Sequence, residues 1–345
     1  MSAPLSCIIG LSGKRLMKSE SLFLRDANPW GVILFARNIK DPDQLRRLTS
    51  DIRGAMGRDT LIFVDQEGGR VQRLTSPHWR RFPSGDYYAS IYRRDKVIGL
   101  RTCYLGYRLI ADDLRSVGIT ADCAPVLDLP QPNADPIISD RALGNDVQSI
   151  VDMGHAAMSG LMSGGVAPVI KHIPGHGRAT VDSHKALPKI NASRKTLEKS
   201  DFLPFRKLSD APMAMTAHAV YTHNSRSAVT TSRKSLTELI RAAIGFDGLL
   251  MSDDLDMKAL TGGLTRKTQR ALNAGCDVAL QCSGLLADSV KVAMGSEALS
   301  GRSLGRAMIA DSCSDYVTEF DRISAEAEFN EYLRQDTEYR ERHSA

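Results

Sequence analysis

Short apolar runs rich in Val, Ile and Leu recur along the chain, and longer segments with helical spacing of apolar positions separate them. This alternation is typical of parallel strands that are buried on both faces and joined by helices. We find eight such runs, at residues 7–11, 31–38, 61–69, 119–129, 166–172, 211–220, 248–255 and 276–282. The spacing between consecutive runs leaves room for a helix each time.

Two of the connecting helices are visible from their end signals. The segment 145–165 begins with the capping residues Asn145 and Asp146, repeats apolar groups at spacings of three and four, and ends in two glycines. A second helix of this form is predicted between Ser232 and Gly245. Eight strand–helix units without a linker or repeat predict an α/β fold, a single (β/α)8 TIM-type barrel over residues 1–345. An open doubly wound sheet is the alternative, but no glycine-rich nucleotide loop follows the first run.

Composition and charge narrow the classes of function. The 345 residues are 42% hydrophobic, which supports a large core, and the net charge of +5 includes no basic run, so we expect no nucleic-acid partner. Six scattered cysteines form no CxxC pair, which favours reduced thiols in a cytoplasmic protein. The N-terminal apolar run has no basic segment before it, as a signal peptide would, and it is too short to span a membrane, so no membrane partner is expected. The charged tail from about residue 311 predicts peripheral helices without chemistry.

Polar side chains follow most of the apolar runs. The active site of such a barrel lies at the carboxyl-terminal ends of its strands, so we expect these side chains to converge on one mouth. They are Arg37, Asn38, Asp65, Glu67, Asp128, Lys171, His172, His218, Asp253 and Asp254. Of the last two, only one is expected to face the barrel axis, because successive strand residues point to opposite sides.

The stretch KHIPGHGRATVDSH, residues 171–184, concentrates three histidines, a lysine and an aspartate. Gly175 and Gly177 allow unusual backbone angles, so we expect a loop rather than a helix, with residues 173–184 mobile when no ligand is bound. Asp182 and His184 are close enough for the carboxylate to accept a hydrogen bond from one imidazole nitrogen, leaving the other toward a substrate. The pair is therefore either an acid/base dyad or a brace for the loop.

A metal site is the main competing interpretation. The chain offers His172, His176, His184, Asp253 and Asp254, which include the ligand types of a hydrolytic zinc or iron barrel. The first two histidines are four residues apart, but the intervening proline and glycine forbid the helix that would place them on one face. No HxH ends the first strand either. We therefore expect neither a metal nor another cofactor.

Together with VDQEGGRVQR from Val64, SDRALG from Ser139 and MSDDL from Met251, this stretch resembles the β-N-acetylglucosaminidases of glycoside hydrolase family 3. The similarity runs in order from about residue 7 to about residue 285. The pattern K-H-x-P-G-H-G-x4-D-S-H is long and specific. The resemblance implies a single-domain barrel that removes non-reducing terminal β-1,4-linked N-acetylglucosamine with retention of configuration.

The resemblance also implies roles for individual residues. Asp253 is the expected nucleophile, and His184 with Asp182 is the expected acid/base dyad. The residues expected to bind the sugar are Asp65, Arg73, Arg141, Lys171 and His172. The preference for Asp253 over its neighbour Asp254 rests on the family pattern and on strand alternation.

The resemblance further implies a substrate and a setting. The expected substrate is a muropeptide, N-acetylglucosaminyl-1,6-anhydro-N-acetylmuramic acid with or without its peptide, in cytoplasmic peptidoglycan recycling. The enzyme is expected to be a monomer or a weak homodimer. Two alternatives stay open: a phosphorylase that uses phosphate in place of water, and a barrel that binds sugar without turnover.

Overall fold

The computed structural model describes residues 3–343. The strands within this range are β1 Leu5–Gly10, β2 Pro29–Ile33, β3 Leu61–Val64, β4 Gln66–Gly68, β5 Val71–Gln72, β6 Ala121–Asp122, β7 Ala167–Ile173, β8 Lys189–Ile190, β9 Met213–Thr216, β10 Val220–Tyr221, β11 Leu249–Asp254 and β12 Val278–Gln281. The helices are α1 Lys18–Ala27, α2 Pro42–Met56, α3 Gly85–Arg94, α4 Lys96–Ser116, α5 Val147–Ser163, α6 Arg194–Lys199, α7 Leu203–Lys207, α8 Arg233–Ser235, α9 Leu264–Ala274, α10 Leu286–Gly295, α11 Gly301–Ser312 and α12 Arg322–His343.

Eight of these strands close into a barrel in the order β1-β12-β11-β9-β7-β6-β3-β2. Every neighbouring pair in the barrel is parallel. Each apolar run of the sequence overlaps one barrel strand, so the predicted (β/α)8 barrel is confirmed and the open doubly wound sheet is excluded. Closure pairs both edges of every barrel strand and leaves the loops at the strand ends free to carry chemistry.

Alternation along the strands divides the apolar side chains between two cores. Phe63 packs inside the barrel in one cluster with Ile8 and Val169. Its neighbours Ile62 and Val64 belong to a second cluster, which contains apolar residues of the outer helices α2 and α4. The strands are therefore buried on both faces, which explains why they read as continuous apolar runs.

The two helices located from sequence are present. Helix α5 begins after Asp146, whose side chain accepts a hydrogen bond from the N–H of Ser149, and it ends at Gly164. The second helical segment begins after Ser232 and ends at Gly245. Its Leu236–Ile244 part follows the wider i→i+5 pattern of a π-helix. Apolar spacing alone does not distinguish that pattern from an α-helix.

The charged tail forms the predicted peripheral helix. Helix α12 packs on α4, and Phe329 is fully buried with its ring 6.4 Å from that of Tyr88. Asp336 is also buried and forms ion pairs with Arg94 and Arg340. None of the helices described is both long and apolar enough to cross a membrane. All six cysteines are free thiols.

Candidate active site

A pocket with an empty volume of about 850 Å³, including open solvent at its mouth, lies at the carboxyl-terminal ends of the barrel strands. Its size is in the range of small-molecule sites. The residues proposed from the family pattern that line it are Asp65, Arg73, Arg141, Lys171, His172, His184 and Asp253. Asp182 does not line the pocket and reaches it through its contact with His184. The sequence-derived site residues therefore come together in one place.

Several other strand-end polar residues do not line this pocket. Arg37 donates hydrogen bonds to the carbonyl oxygens of Leu11 and Cys282, and Asn38 also donates to Leu11. Buried His218 contacts the backbone carbonyl of Asp254 at 3.0 Å. The expectation that all of these groups reach the mouth is wrong, because burial turned some of them toward backbone groups that also need hydrogen-bond partners.

Five charged side chains form a network on one wall of the pocket. Lys171 Nζ lies 2.9 Å from Asp65 Oδ1 and 2.6 Å from Glu67 Oε1. Arg73 Nη2 lies 3.0 Å from Asp65 Oδ2. Arg141 forms a two-pronged contact with Glu67, at 2.8 Å for each pair of atoms. Sequence reasoning placed Glu67 at the strand end but gave it no role; it fixes two of the cations proposed to bind the sugar.

The opposite charges in this network shift the pKa values of their partners so that each group stays ionised. Burial raises the pKa of Glu67, but the charges of Lys171 and Arg141 outweigh burial and lower the pKa to about 2. Burial acts in the same way on Asp65, and the charges of Lys171 and Arg73 hold its pKa well below the usual range. The pKa of Lys171 is raised, because these two carboxylates outweigh the effect of burial. All three groups are therefore charged at neutral pH.

The depressed pKa of Glu67 predicts an acid-dependent loss of stability. Glu67 contributes stability that is fully present above its unfolded value of 4.5 and is lost as the pH falls toward about 2. We expect the free energy of unfolding of the wild type to fall by on the order of 3 kcal/mol more than that of Glu67→Gln across this window. Urea unfolding at a series of pH values between about 5 and about 2 measures the difference. Parallel curves for the two proteins would contradict the prediction.

The two consecutive aspartates at the end of β11 differ in ionisation. Burial raises the pKa of Asp253, but the charges of His218 and His172 and the backbone N–H of Asp254 outweigh it, so the pKa lies below the usual value. Burial raises the pKa of Asp254 to about 7, and repulsion from Asp256 and Asp253 adds to that effect. At neutral pH, Asp253 is thus the fully ionised member of the pair.

Asp254 also lines the pocket, but its carboxylate is engaged with the surrounding loops. Its Oδ1 atom accepts hydrogen bonds from the backbone N–H groups of Asp256 and Cys282, each at 3.1 Å. These contacts join the ends of β11 and β12. Asp254 thus has the bracing contacts expected for one of the two aspartates, although both aspartates line the pocket.

Asp182 and His184 form a hydrogen-bonded pair on the loop that follows β7. Asp182 Oδ1 accepts from the backbone N–H of His184 at 2.8 Å and lies 2.8 Å from its Nδ1 atom. Burial raises the pKa of Asp182, but these hydrogen bonds lower the pKa by more than burial raises it. The carboxylate is therefore ionised at neutral pH. The His184 side chain is 65% exposed and that of Asp182 only 14%. With Nδ1 occupied, Nε2 is the ring nitrogen available to a ligand.

The loop has an ordered first half. Residues 173–177 are buried, and the carbonyl oxygen of Ala179 accepts a hydrogen bond from the N–H of Asp135 at 2.7 Å. A Cβ atom on Gly177 would collide with the backbone of Leu129, and Gly175 has a φ of +133°. Only glycine fits these two positions. The loop is therefore held closely against the barrel rim before it reaches the dyad.

The second half of the loop, residues 180–187, is mostly exposed. We therefore expect the motion of the loop to be concentrated in this segment. Without ligand, we expect backbone amides of this segment to exchange with solvent much faster than those of β7 and of residues 173–177, because exposed local hydrogen bonds open cheaply. Hydrogen–deuterium exchange with mass spectrometry measures this directly. Protection of residues 180–187 equal to that of β7 would contradict it.

Asp128 organises two histidines beneath the loop. Its Oδ2 atom lies 2.6 Å from His172 Nδ1, and its Oδ1 atom accepts the backbone N–H of His176 at 2.6 Å. Asp128 is fully buried. By holding Nδ1, it leaves Nε2 of His172 for the pocket. The sequence marked Asp128 only as a polar residue within an apolar run, and nothing in the local pattern identified its two partners.

The histidines are not arranged as metal ligands. Within residues 3–343, no group of three or more His, Cys, Asp or Glu side chains has an arrangement suited to a metal ion. The Nδ1 atom of His172 faces Asp128, and the Nε2 atom of His176 lies 3.2 Å from the hydroxyl of Ser183. Both rings thus have local hydrogen-bond partners.

The chain is similar to known proteins in sequence and in fold. The model of the glycosyl hydrolase family 3 N-terminal domain matches residues 11–311. A β-hexosaminidase of Alkalilimnicola ehrlichii is 38% identical over 280 residues, which are 80% of each chain. A β-hexosaminidase of Tolumonas auensis is 37% identical over 281 residues, covering 80% of this chain and 82% of the relative. The crystal structure of NagZ from Neisseria gonorrhoeae in complex with N-trifluoroacetyl-D-glucosamine has a TM-score of 0.84, 28% identity and 96% coverage of each chain.

Proposed function

The chain belongs to glycoside hydrolase family 3, and on that premise we propose that it is a retaining exo-acting β-N-acetylglucosaminidase. The observation that carries the proposal is one pocket that holds both halves of the necessary chemistry. Asp253 supplies an ionised carboxylate from β11, and His184, paired with Asp182, supplies a proton-transfer group from the loop after β7. Retaining hydrolysis requires a nucleophile and a proton donor on opposite sides of the scissile bond.

In the first step, Asp253 attacks the anomeric carbon while protonated His184 donates its Nε2 proton to the leaving oxygen. The product is a covalent glycosyl–enzyme. In the second step, neutral His184 removes a proton from water as the water attacks the same carbon, and Asp253 is released. Two inversions give net retention. The carboxylate of Asp182 stabilises the imidazolium between these roles.

An imidazole replaces the second carboxylate that retaining glycosidases usually employ. The protonated imidazole of His184 donates a proton in the first step, and the neutral imidazole accepts a proton from water in the second step. The charged network holds the sugar during both steps. Asp65 accepts hydrogen bonds from sugar hydroxyls, and Arg73, Arg141, Lys171 and His172 contribute donors. Because the network is already paired, its side chains are in place before the sugar arrives, which reduces the entropy lost on binding.

The proposed substrate is a muropeptide, N-acetylglucosaminyl-1,6-anhydro-N-acetylmuramic acid with or without its peptide, cleaved during peptidoglycan recycling in the cytoplasm. The β-hexosaminidase names of the relatives and the N-acylated glucosamine bound to the gonococcal enzyme support a preference for N-acetylglucosamine. We propose one catalytic domain that acts as a monomer or a weak homodimer. The comparisons lend no support to a phosphorylase.

The test is turnover of 4-nitrophenyl N-acetyl-β-glucosaminide and of the disaccharide muropeptide, each with and without EDTA and inorganic phosphate. We expect N-acetylglucosamine to be released first as the β-anomer, at rates that neither addition changes. Loss of activity in EDTA would indicate a metal-dependent hydrolase, and a sugar 1-phosphate product would indicate a phosphorylase. Binding without turnover would contradict the proposal and favour a sugar-binding protein.

A further inference from the structure

We propose that the hydroxyl of Ser183 and the ring of His176 form a latch that seats the Asp182–His184 dyad over the pocket. Both would be positioning residues, since they act through the dyad and need not touch the substrate. The inference rests on the proposed function, because it assigns a role within that reaction.

Ser183 is the anchor of the exposed half of the loop. It lies between the two dyad residues and is 4% exposed, and it is the one buried residue of the segment 180–187. Its hydroxyl lies 3.2 Å from His176 Nε2, and its carbonyl oxygen accepts the N–H of Ala259 at 3.2 Å. Ala259 belongs to the connection that follows β11, the strand that carries Asp253. Through these two contacts, Ser183 links the dyad to His176 in the pocket and to the loop that follows the strand of Asp253.

By contrast, the other backbone hydrogen bonds around the dyad are local. The N–H groups of Lys185 and Ala186 both donate to the carbonyl oxygen of Asp182, and the N–H of His184 donates to the Asp182 side chain. These bonds shape the turn, but they move with it. Among the hydrogen bonds described for residues 182–186, those of Ser183 reach outside the turn and therefore fix its position on the barrel.

His176 is a rigid partner for this hydroxyl. Its backbone N–H donates to Asp128, and its ring is 5.7 Å from that of His172 in an edge-to-face arrangement. The side chain is buried, and its Nδ1 atom has no hydrogen-bond partner within the described residues. Ser183 is thus the polar group that compensates the burial of the ring, and an unpaired buried polar group is costly. Burial also lowers the pKa of His176, so its ring is neutral.

The consequence concerns the proton donor. A misplacement of about 1 Å can cost on the order of 100-fold in rate when a reacting group must be oriented. Without the Ser183 hydroxyl, the turn keeps its internal hydrogen bonds but loses its contact with His176. The turn can then shift relative to the pocket, and His184 spends less time beside the glycosidic oxygen. The loss should therefore depend on how much the leaving group needs a proton.

The test compares kcat/KM for two aryl N-acetyl-β-glucosaminides, one with a phenyl and one with a 2,4-dinitrophenyl leaving group. For Ser183→Ala we expect a fall of roughly 10- to 100-fold on the phenyl substrate and little change on the dinitrophenyl substrate, which leaves without protonation. Ser227→Ala, at an exposed serine outside the pocket, is the matched control and should behave as the wild type.

His176→Phe tests the other half of the latch while filling the same space. It should show the same selectivity for leaving group as Ser183→Ala. The double variant should be no worse than the more impaired single variant, because both changes break one contact. Equal losses on both substrates, or additive losses in the double variant, would overturn the latch. An inactive wild type would instead refute the proposed function, so the two failures are distinguishable.

Discussion

Asp253→Asn is expected to lower turnover of 4-nitrophenyl N-acetyl-β-glucosaminide by roughly 10⁴-fold or more, a loss comparable to removal of other enzymatic nucleophiles. The reason is that the amide cannot form the glycosyl–enzyme. The depressed pKa of Asp253 keeps its carboxylate ionised, so its negative charge is available throughout the neutral range. Steady-state kinetics of the purified variant measure the loss, and urea unfolding shows whether the variant is folded.

Asp254→Asn is the matched control, because it makes the same chemical change one residue away. Its side-chain oxygen can still accept the N–H groups of Asp256 and Cys282. Since the pKa of Asp254 is raised to about 7, its carboxyl is already partly neutral at the pH of the assay. We expect a loss of less than about tenfold, the scale of removing a single supporting hydrogen bond. A larger loss in Asp254→Asn than in Asp253→Asn would reverse the assignment of the nucleophile.

His184→Ala is expected to have the second largest effect, and the effect should depend on the substrate. Loss of acid/base help costs about 10² to 10⁴ in rate, so kcat/KM for the phenyl substrate should fall by that factor. For the 2,4-dinitrophenyl substrate, kcat/KM should fall far less, because it reports only the first step and that leaving group needs no proton. Its kcat should still fall, since water in the second step has lost its base.

Added azide distinguishes this role from a structural one. Azide attacks the glycosyl–enzyme without needing a base, so it should restore kcat for the dinitrophenyl substrate and yield the β-glycosyl azide. Lys185→Ala, the adjacent exposed residue of the same turn, is the control and should need no rescue. Equal losses on both substrates without azide rescue would identify the Asp182–His184 pair as a loop brace.

The sequence predicted the barrel because parallel strands buried on both faces leave a strong signal. All eight apolar runs overlap a barrel strand, and the capping residues located helix α5 to within two residues. The boundaries of the strands were less visible. The run 119–129 yields only β6, Ala121–Asp122, because the apolar residues from Cys123 to Leu129 are buried in the connection that follows the strand. Apolar content reports burial more directly than it reports strand structure.

The sequence indicated which residues lie near the site, but it gave much less information about which residues contact one another. Lys171 and Asp253 stood at strand ends, and strand ends meet in a barrel. Whether a polar residue lines the pocket or braces a loop depends on partners that are far away in sequence. Asp128 and Glu67 acquire their roles from residues more than forty and seventy positions away. Ser183 is part of the sequence pattern, but the pattern gives it no role, because a role for a serine between two catalytic candidates depends on where its hydroxyl lies.

The central claim is that Asp253 forms a covalent bond to the sugar, and trapping that bond tests it most directly. The wild type is incubated with a fluorinated N-acetylglucosaminyl fluoride that forms the glycosyl–enzyme quickly and hydrolyses it slowly. The protein is then digested and its peptides are sequenced by mass spectrometry. We predict a single sugar adduct on Asp253. An adduct on Asp254 or elsewhere, or turnover to the inverted product without any adduct, would contradict the account.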